Sequence, residues 1–205
     1  MRKAKVLRKT NEVNIKVLLN LDGNGRFKIN TGFEPLNHLL ELLSFHSFFD
    51  LEIEAKGDLA HHIIEDIGIA FGKAFKEALG DKKGISRYGC FSVVMDKTVV
   101  EVDVDISGRP NFSFIILAPT KKEIENKLAK SRFDNTNFAF NEVEEFLKAF
   151  TQQAGISLAC IVKDSQDDLH HILEALFKAL AKALDIAIRL DPRRKGIPST
   201  KGIID

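Results

Sequence analysis

The feature that most limits the possible folds is a motif that occurs twice. Asp58-Leu59-Ala60-His61-His62-Ile63-Ile64-Glu65-Asp66 is matched by Asp168-Leu169-His170-His171-Ile172-Leu173-Glu174-Ala175. Further along each stretch, Lys73-Ala74 corresponds to Lys182-Ala183, and upstream Phe33-Glu34 corresponds to Phe140-Asn141. Similarity that recurs in the same order is most simply an internal duplication. It predicts two related halves, residues 1–89 and 90–205, about a pseudo-twofold axis. A single α+β domain without duplication is the competing reading.

Hydrophobic periodicity supports the repeat. Residues 13–20 and 26–30 flank Asp22-Gly23-Asn24-Gly25, which signals a β-hairpin. Residues 34–46 carry apolar groups at helical spacing, with Pro35 near the start, where a helix tolerates it. A strand over 49–55 and a long helix over 59–79, ending before Gly80, complete a ββαβα half. The second half repeats the order, with one more strand at its start. Strands are predicted at 91–95, 98–105 and 111–117, a helix at 141–152, a strand at 156–162 and a long helix at 168–189. The polar stretch 119–135 reads as a surface connection, partly helical. The expected fold is therefore α+β, two ββαβα halves, each a mixed sheet backed by helices.

The two His-His-x-x-Glu segments are the main chemical signal. On a helix His61 and Glu65 share a face, whereas His62 points about 100° away. The first His and the Glu can hold one ion while the second His reaches another; His170, His171 and Glu174 repeat the arrangement. Imidazole with carboxylate suits a divalent ion such as Mn, Fe or Zn, and the carboxylate favours an octahedral Mn- or Fe-like site over a closed structural zinc. A solvated helix face is the alternative for one such pair; two pairs in matched register, among only six histidines, argue for metal. His38, alone on an apolar helix, fits a buried core histidine as readily, and His46 at that helix end fits a partner for its carbonyls.

Composition excludes several classes. Formal net charge is +1 with both signs interspersed, so no basic stripe marks a nucleic-acid or anionic-membrane partner. No stretch approaches the ~18 apolar residues of a spanning helix, and the basic start MRKAKVLRKT lacks the apolar run of a secretory signal. Cys90 and Cys160 are too few for a disulfide framework and fit reduced thiols in a cytoplasmic protein.

Taken in order, the motifs resemble those of the imidazoleglycerol-phosphate dehydratase family. They are Thr10-Asn11-Glu12, Thr31-Gly32, Asn37-His38-Leu39, Gly57-Asp58-Leu59, His61 to Asp66, Arg87-Tyr88-Gly89, Ser107-Gly108-Arg109-Pro110, His170 to Glu174 with Phe177-Lys178-Ala179, and Pro198-Ser199-Thr200-Lys201-Gly202. The resemblance runs the whole length. It implies a ribosomal protein S5 domain 2-like fold in each half and a large homo-oligomer, a 24-mer, with active sites between subunits. It also implies two Mn2+ ions per site, held by His38, His61, His62, Glu65, His170, His171 and Glu174. Glu145 stands where many members have another helix histidine, and a carboxylate could still bind metal. The resemblance places Arg87, Arg109, Lys178, Ser199 and Lys201 on the substrate phosphate, with His46 a further substrate contact. Solvated surface charge is the ordinary alternative for these basic residues. Arginine suits phosphate because its planar fork grips two oxygens.

The implied reaction is a dehydration in histidine biosynthesis, imidazole glycerol phosphate to imidazole acetol phosphate. The proton lost is not next to a carbonyl, so the imidazole ring must serve as electron sink through a diazafulvene-like intermediate, with metal as Lewis acid and template. Glu12 is the implied acid/base group; an exposed strand-edge carboxylate is its plain alternative. Four departures from the family pattern cluster near this site. The acidic pair before His61 is missing, a Glu is replaced by Lys97, Leu158-Ala159-Cys160 stands where Leu-His is common, and the Gly-x-Asn before the second His pair is replaced by Asp164 to Asp168. Cys160 reads as a buried thiol or a soft ligand. Two readings follow: a working hydro-lyase, or a catalytically altered paralogue keeping fold, metal and assembly.

Overall fold

Strand alternation builds two sheets of the same design. A computed structural model describes every residue except 118–120, 135 and 205. The first half contains β1 (Lys3–Lys9), β2 (Val13–Asn20), β3 (Phe27–Asn30), α1 (Glu34–Ser47), β4 (Asp50–Gly57) and α2 (Ala60–Leu79). The second contains β5 (Tyr88–Met95), β6 (Thr98–Asp105), β7 (Asn111–Ile116), α3 (Lys121–Lys130), α4 (Phe140–Ala154), β8 (Ser157–Ser165) and α5 (Leu169–Ile188). The sheets have orders β1-β2-β4-β3 and β5-β6-β8-β7, identical under the duplication. Each is mixed, with two antiparallel pairings and one parallel edge pairing, β3 on β4 and β7 on β8. Helix α3 falls within the connection expected to be partly helical; positions 119, 120 and 135 of that stretch lie outside the described residues.

Two features depart from the sequence reading. β1 was not expected as a strand. It is a sheet edge with exposed Lys3, Lys5 and Lys9, and only Val6 is buried, so it resembles a polar tail. The hairpin expected across Asp22–Gly25 does not form, because β4 lies between β2 and β3. The turn is tied instead to the head of β4: Asp50 Oδ1 accepts the Asn24 amide at 2.9 Å and the Arg26 amide at 3.2 Å. Asp50 Oδ2 accepts the Arg26 guanidinium at 3.0 Å. Gly23 makes this possible, since a Cβ there would lie 2.4 Å from the Asp50 backbone nitrogen. The hairpins that do form are β1–β2 and β5–β6.

Each major helix touches its own sheet and a helix of the other half. α2 packs on β1 and β2 and against α4; α5 packs on β5 and β6 and against α1. A Cβ at Gly68 or Gly72 of α2 would meet the Phe146 or Phe150 carbonyl oxygen at 2.6 or 2.5 Å, so backbone approaches backbone there. Phe71 stacks on Phe150 with centroids 4.9 Å apart, and Phe146 on Phe177 at 6.0 Å. One apolar core thus runs through both halves. No helix among the described residues is long and apolar enough to cross a membrane.

The Arg26 guanidinium, with the Asn24 and Arg26 amides, holds the Asp50 carboxyl far below the usual carboxylate range. A depressed folded-state pKa means its stabilisation is complete above the unfolded value, near ~4, and fades as pH falls through the folded value. Asp50→Asn should cost about 1 kcal/mol at pH 7. It should also make stability fall less steeply below pH ~4, as read by urea denaturation across a pH series.

Candidate active site

The crossing of α1 over α5 brings together side chains far apart in sequence. His38 Nε2 on α1 lies 2.7 Å from Glu174 Oε1 on α5, and His170 Nε2 lies 2.8 Å from the same oxygen. Lys178 Nζ, one turn along α5, donates to Glu174 Oε2 at 2.6 Å. Glu174 is 8% exposed. Burial pushes its carboxyl up, but the bonds from Lys178, His38 and His170 prevail and take it down to about 2. His38 is therefore part of this cluster and not a core histidine. His38, His170 and Glu174 form a group whose donor atoms all lie within 4.8 Å of one another.

Carboxylates hold the outer nitrogens of three of the paired histidines. Asp58 is 2.9 Å from His62 Nδ1, Asp134 is 2.9 Å from His170 Nδ1, and Asp168 is 2.8 Å from His171 Nδ1. A proton fixed on Nδ1 toward a carboxylate leaves Nε2 as the ligating atom, the usual arrangement around a protein-bound metal. Phe133 adds a stacked ring 4.4 Å from His170. Asp168 also caps α5 by accepting the His171 amide at 3.1 Å. Asp58 and Asp168 could have been found from their spacing, one turn before a histidine. Asp134 lies in an irregular segment and carried no such signal.

The first half is less converged. His61 and Glu65 are exposed on α2, and Glu145 on α4 pairs with Lys148 at 3.0 Å. Among the described residues no three-donor group forms around them. Glu12 is exposed at the β1–β2 tip, where Thr10 Oγ1 accepts the Glu12 and Val13 amides at 3.1 and 3.0 Å. His62 is held above its ordinary pKa, first by the bond to Asp58 and then by the nearby Glu12 and Asp66 charges. The corresponding β5–β6 tip carries Asp96, 3.3 Å from His171 Nε2, and Lys97, whose amide donates to Asp167 at 2.8 Å. Cys160 is fully buried in the core, its thiol pushed up to about 12 by burial.

A second assembly lies at the start of β5. Arg87, Ser107, Arg109, Ser199, Thr200 and Lys201 line a cavity of about 180 Å³. Arg87 is clamped by Asp105, with Nε at 2.7 Å and Nη2 at 3.1 Å, and its Nη1 donates to the Pro198 carbonyl at 3.0 Å. That last bond ties the C-terminal segment to the sheet. Ser107 Oγ accepts the Arg109 amide at 3.0 Å and shapes the turn. Four of the five residues expected to handle phosphate thus converge, joined by Ser107 and Thr200. Lys178 does not join them, being engaged by Glu174. His46, partly buried near Lys182 and Lys178, has its pKa lowered by burial first and then by those cations.

A family model described as imidazoleglycerol-phosphate dehydratase matches residues 31–184. The chain belongs to that family. It is 49% identical over 207 aligned positions, covering both chains in full, to the imidazoleglycerol-phosphate dehydratase of Thermoanaerobacter pseudethanolicus, and 46% identical, again in full, to that of Bacillus pumilus. The crystal structure of the Staphylococcus aureus imidazoleglycerol-phosphate dehydratase superposes with a TM-score of 0.77 at 35% identity, over 92% of this chain and 99% of that one. The Pyrococcus furiosus protein, solved in complex with (S)-C348, gives 0.77 at 30% identity over 97% and 99%.

Arg87→Met removes the Asp105 clamp and the bond to Pro198. Hydrogen exchange of the amides from Ser199 to Gly202 should accelerate by about 10-fold while exchange in α2 and α4 is unchanged. Equal protection of the tail in both proteins would show that it is held by other contacts.

Proposed function

We propose that this chain catalyses the dehydration of imidazole glycerol phosphate to imidazole acetol phosphate, a hydro-lyase step of histidine biosynthesis, with two Mn2+ ions per site. The observation that carries this reading is the gathering of Arg87, Arg109, Ser199 and Lys201 into one small cationic cavity, in a chain whose full-length relatives bear that name. Arg109 and Lys201 supply charge for a phosphate dianion, and the Ser107, Ser199 and Thr200 hydroxyls supply neutral donors.

The donor set fits a divalent ion. Imidazole nitrogens and carboxylate oxygens are the ligand types such ions prefer, and His38, His170 and Glu174 already bring one donor atom each within ligating reach of a common point. His61, His62, Glu65, His171 and, by the duplication, Glu145 complete the proposed ligands. Bound there, Mn2+ would supply Lewis acidity to the substrate ring. The chain's own residues do the remaining work: the cavity holds the phosphate, Asp58, Asp134 and Asp168 orient the imidazoles, and Glu12 moves the carbon-bound proton.

The layout also supports an assembled active site. Arg87 adjoins the first residue of β5, and Met95 at its far end contacts Lys178 at 3.3 Å, beside Glu174. At ~3.3 Å per residue those ends lie roughly 23 Å apart. A three-carbon phosphate ester bearing one five-membered ring is far shorter, so both assemblies serve one substrate only if different copies of the chain supply them. A large homo-oligomer, with 24 copies as in the implied family assembly, meets that need, in a cytoplasmic setting consistent with two unpaired cysteines.

Metal-stripped protein should lose turnover of imidazole glycerol phosphate and regain it on addition of manganese. Full turnover by the stripped protein would exclude the metal role. Glu12→Gln should lower kcat by about 10²–10⁴-fold with assembly intact. Lys201→Ala should act mainly through KM, raising it about 10-fold or more.

A further inference from the structure

The two halves, so alike in backbone, differ at one partly buried pair. In the first half Arg8 on β1 reaches Asp66 on α2, Nη2 to Oδ1, at 2.8 Å. Asp66 is 9% exposed, and Arg8 Nε is buried with no hydrogen-bond partner. Strand register gives the counterpart. Arg8 pairs with Ile15 on β2 and Val93 pairs with Val100 on β6, each at the third residue of its strand. The spacing that carries His61 to His170 carries Asp66 to Ala175. The second half therefore has Val93 and Ala175 where the first has Arg8 and Asp66. Val93 packs on the core and Ala175 is fully buried.

The same backbone plan accommodates the apolar pair in the second half. An ion pair with side chains 28% and 12% exposed is largely withdrawn from water and adds little stability, and a buried guanidinium nitrogen without a partner lowers it further. Its retention in one half only asks for a local use. The pair joins the end of β1 to the second turn of α2. Two residues past Arg8 the chain enters the Thr10 turn that presents Glu12, and one turn before Asp66 stands His62. Glu12 and Asp66 both lie within electrostatic reach of His62. Two more contacts converge here: the Asp58 amide donates to the Glu12 carbonyl at 3.1 Å, and Asp58 holds His62 Nδ1. A Cβ at Gly57 would meet that same carbonyl at 2.8 Å, so the β4 end and the tip are in close contact.

We propose that Arg8 and Asp66 are positioning residues: their ion pair locks the β1–β2 tip to α2 and so fixes Glu12 relative to His62. Neither touches the substrate. The proposal rests on Glu12 being the acid/base group of the dehydratase. A carboxylate at a hairpin tip must be held to within a fraction of an ångström to transfer a proton efficiently, and misplacement by 1 Å can cost about 10²-fold in rate. In the second half the position matching Glu12 is Lys97, and the tip carboxylate, Asp96, is already paired with His171 at 3.3 Å.

The test installs the second half's own solution in the first. The double variant Arg8→Val with Asp66→Ala should fold with a Tm equal to or above that of the parent. Its kcat for imidazole glycerol phosphate should fall by about 30-fold or more, with KM within about 2-fold, because the phosphate cavity lies elsewhere. Parental kcat in a folded double variant overturns the proposal while leaving the dehydratase reading intact. A parent chain without manganese-dependent turnover overturns that reading and this proposal with it. Asp66→Asn, which keeps shape and one bond from Arg8, guards against loss of folding. It should lower kcat by about 5-fold at constant KM, and parental kcat there also counts against the lock.

Discussion

The close approach of α2 to α4 sets the rest of the molecule. Because Gly68 and Gly72 have no side chains, the backbone of α2 can rest on the Phe146 and Phe150 carbonyls, and the Phe71–Phe150 stack closes the contact. Dense packing of this kind tolerates little displacement. Once that crossing is fixed, the duplicated order of elements brings α1 across α5 on the other side of the pseudo-twofold. There the crossing delivers His38 to Glu174 and His170. A site chemist would look first at the histidines, but their meeting is a consequence of how two pairs of helices share one core.

Much of this was legible from residue order. The duplication, the long helices carrying the histidine pairs and the mixed sheets follow from motif repetition and from periods of two and 3.6. Where reading failed, the cause is physical. β1 escaped because an edge strand buries little, and its lysines read as solvated tail. The Asp22–Gly25 turn has hairpin chemistry, yet Asp50, distant in sequence, captures its amides and β4 takes the place beside β2. Lys178, expected with the phosphate residues, stands within one chain at the other end of the sheet beside Glu174, a separation that residue order does not reveal. Asp134 could not have been singled out, since its role depends on a loop packing against α5.

The pseudo-symmetry is also the best guide to chemistry, because the two halves are controls for each other. Each has a hairpin tip leaning over a His-His pair, with an aspartate holding the second imidazole. The tips differ in charge: Glu12 alone on one side, and Asp96 offset by Lys97 on the other. The helix crossings differ as well. His38 meets a complete partner set, whereas Glu145 turns to Lys148. One backbone plan has thus been assigned two electrostatic characters, and the residues that break the symmetry are the ones worth asking about.

The glycines of α2 carry a last consequence, a historical one. The positions of α5 that match Gly68 and Gly72 are Phe177 and Ala181, and Phe177 stacks on the Phe146 whose carbonyl Gly68 receives. One half has given up side chains where the other has put a ring, and each fits only its present counterpart. Two copies of the first half would meet with a gap where Phe177 now sits, and two of the second with an obstruction where Gly68 now yields. A duplication of this type begins as two interchangeable subunits. Here the facing surfaces have diverged, so that each half is shaped for the other and no longer for a copy of itself.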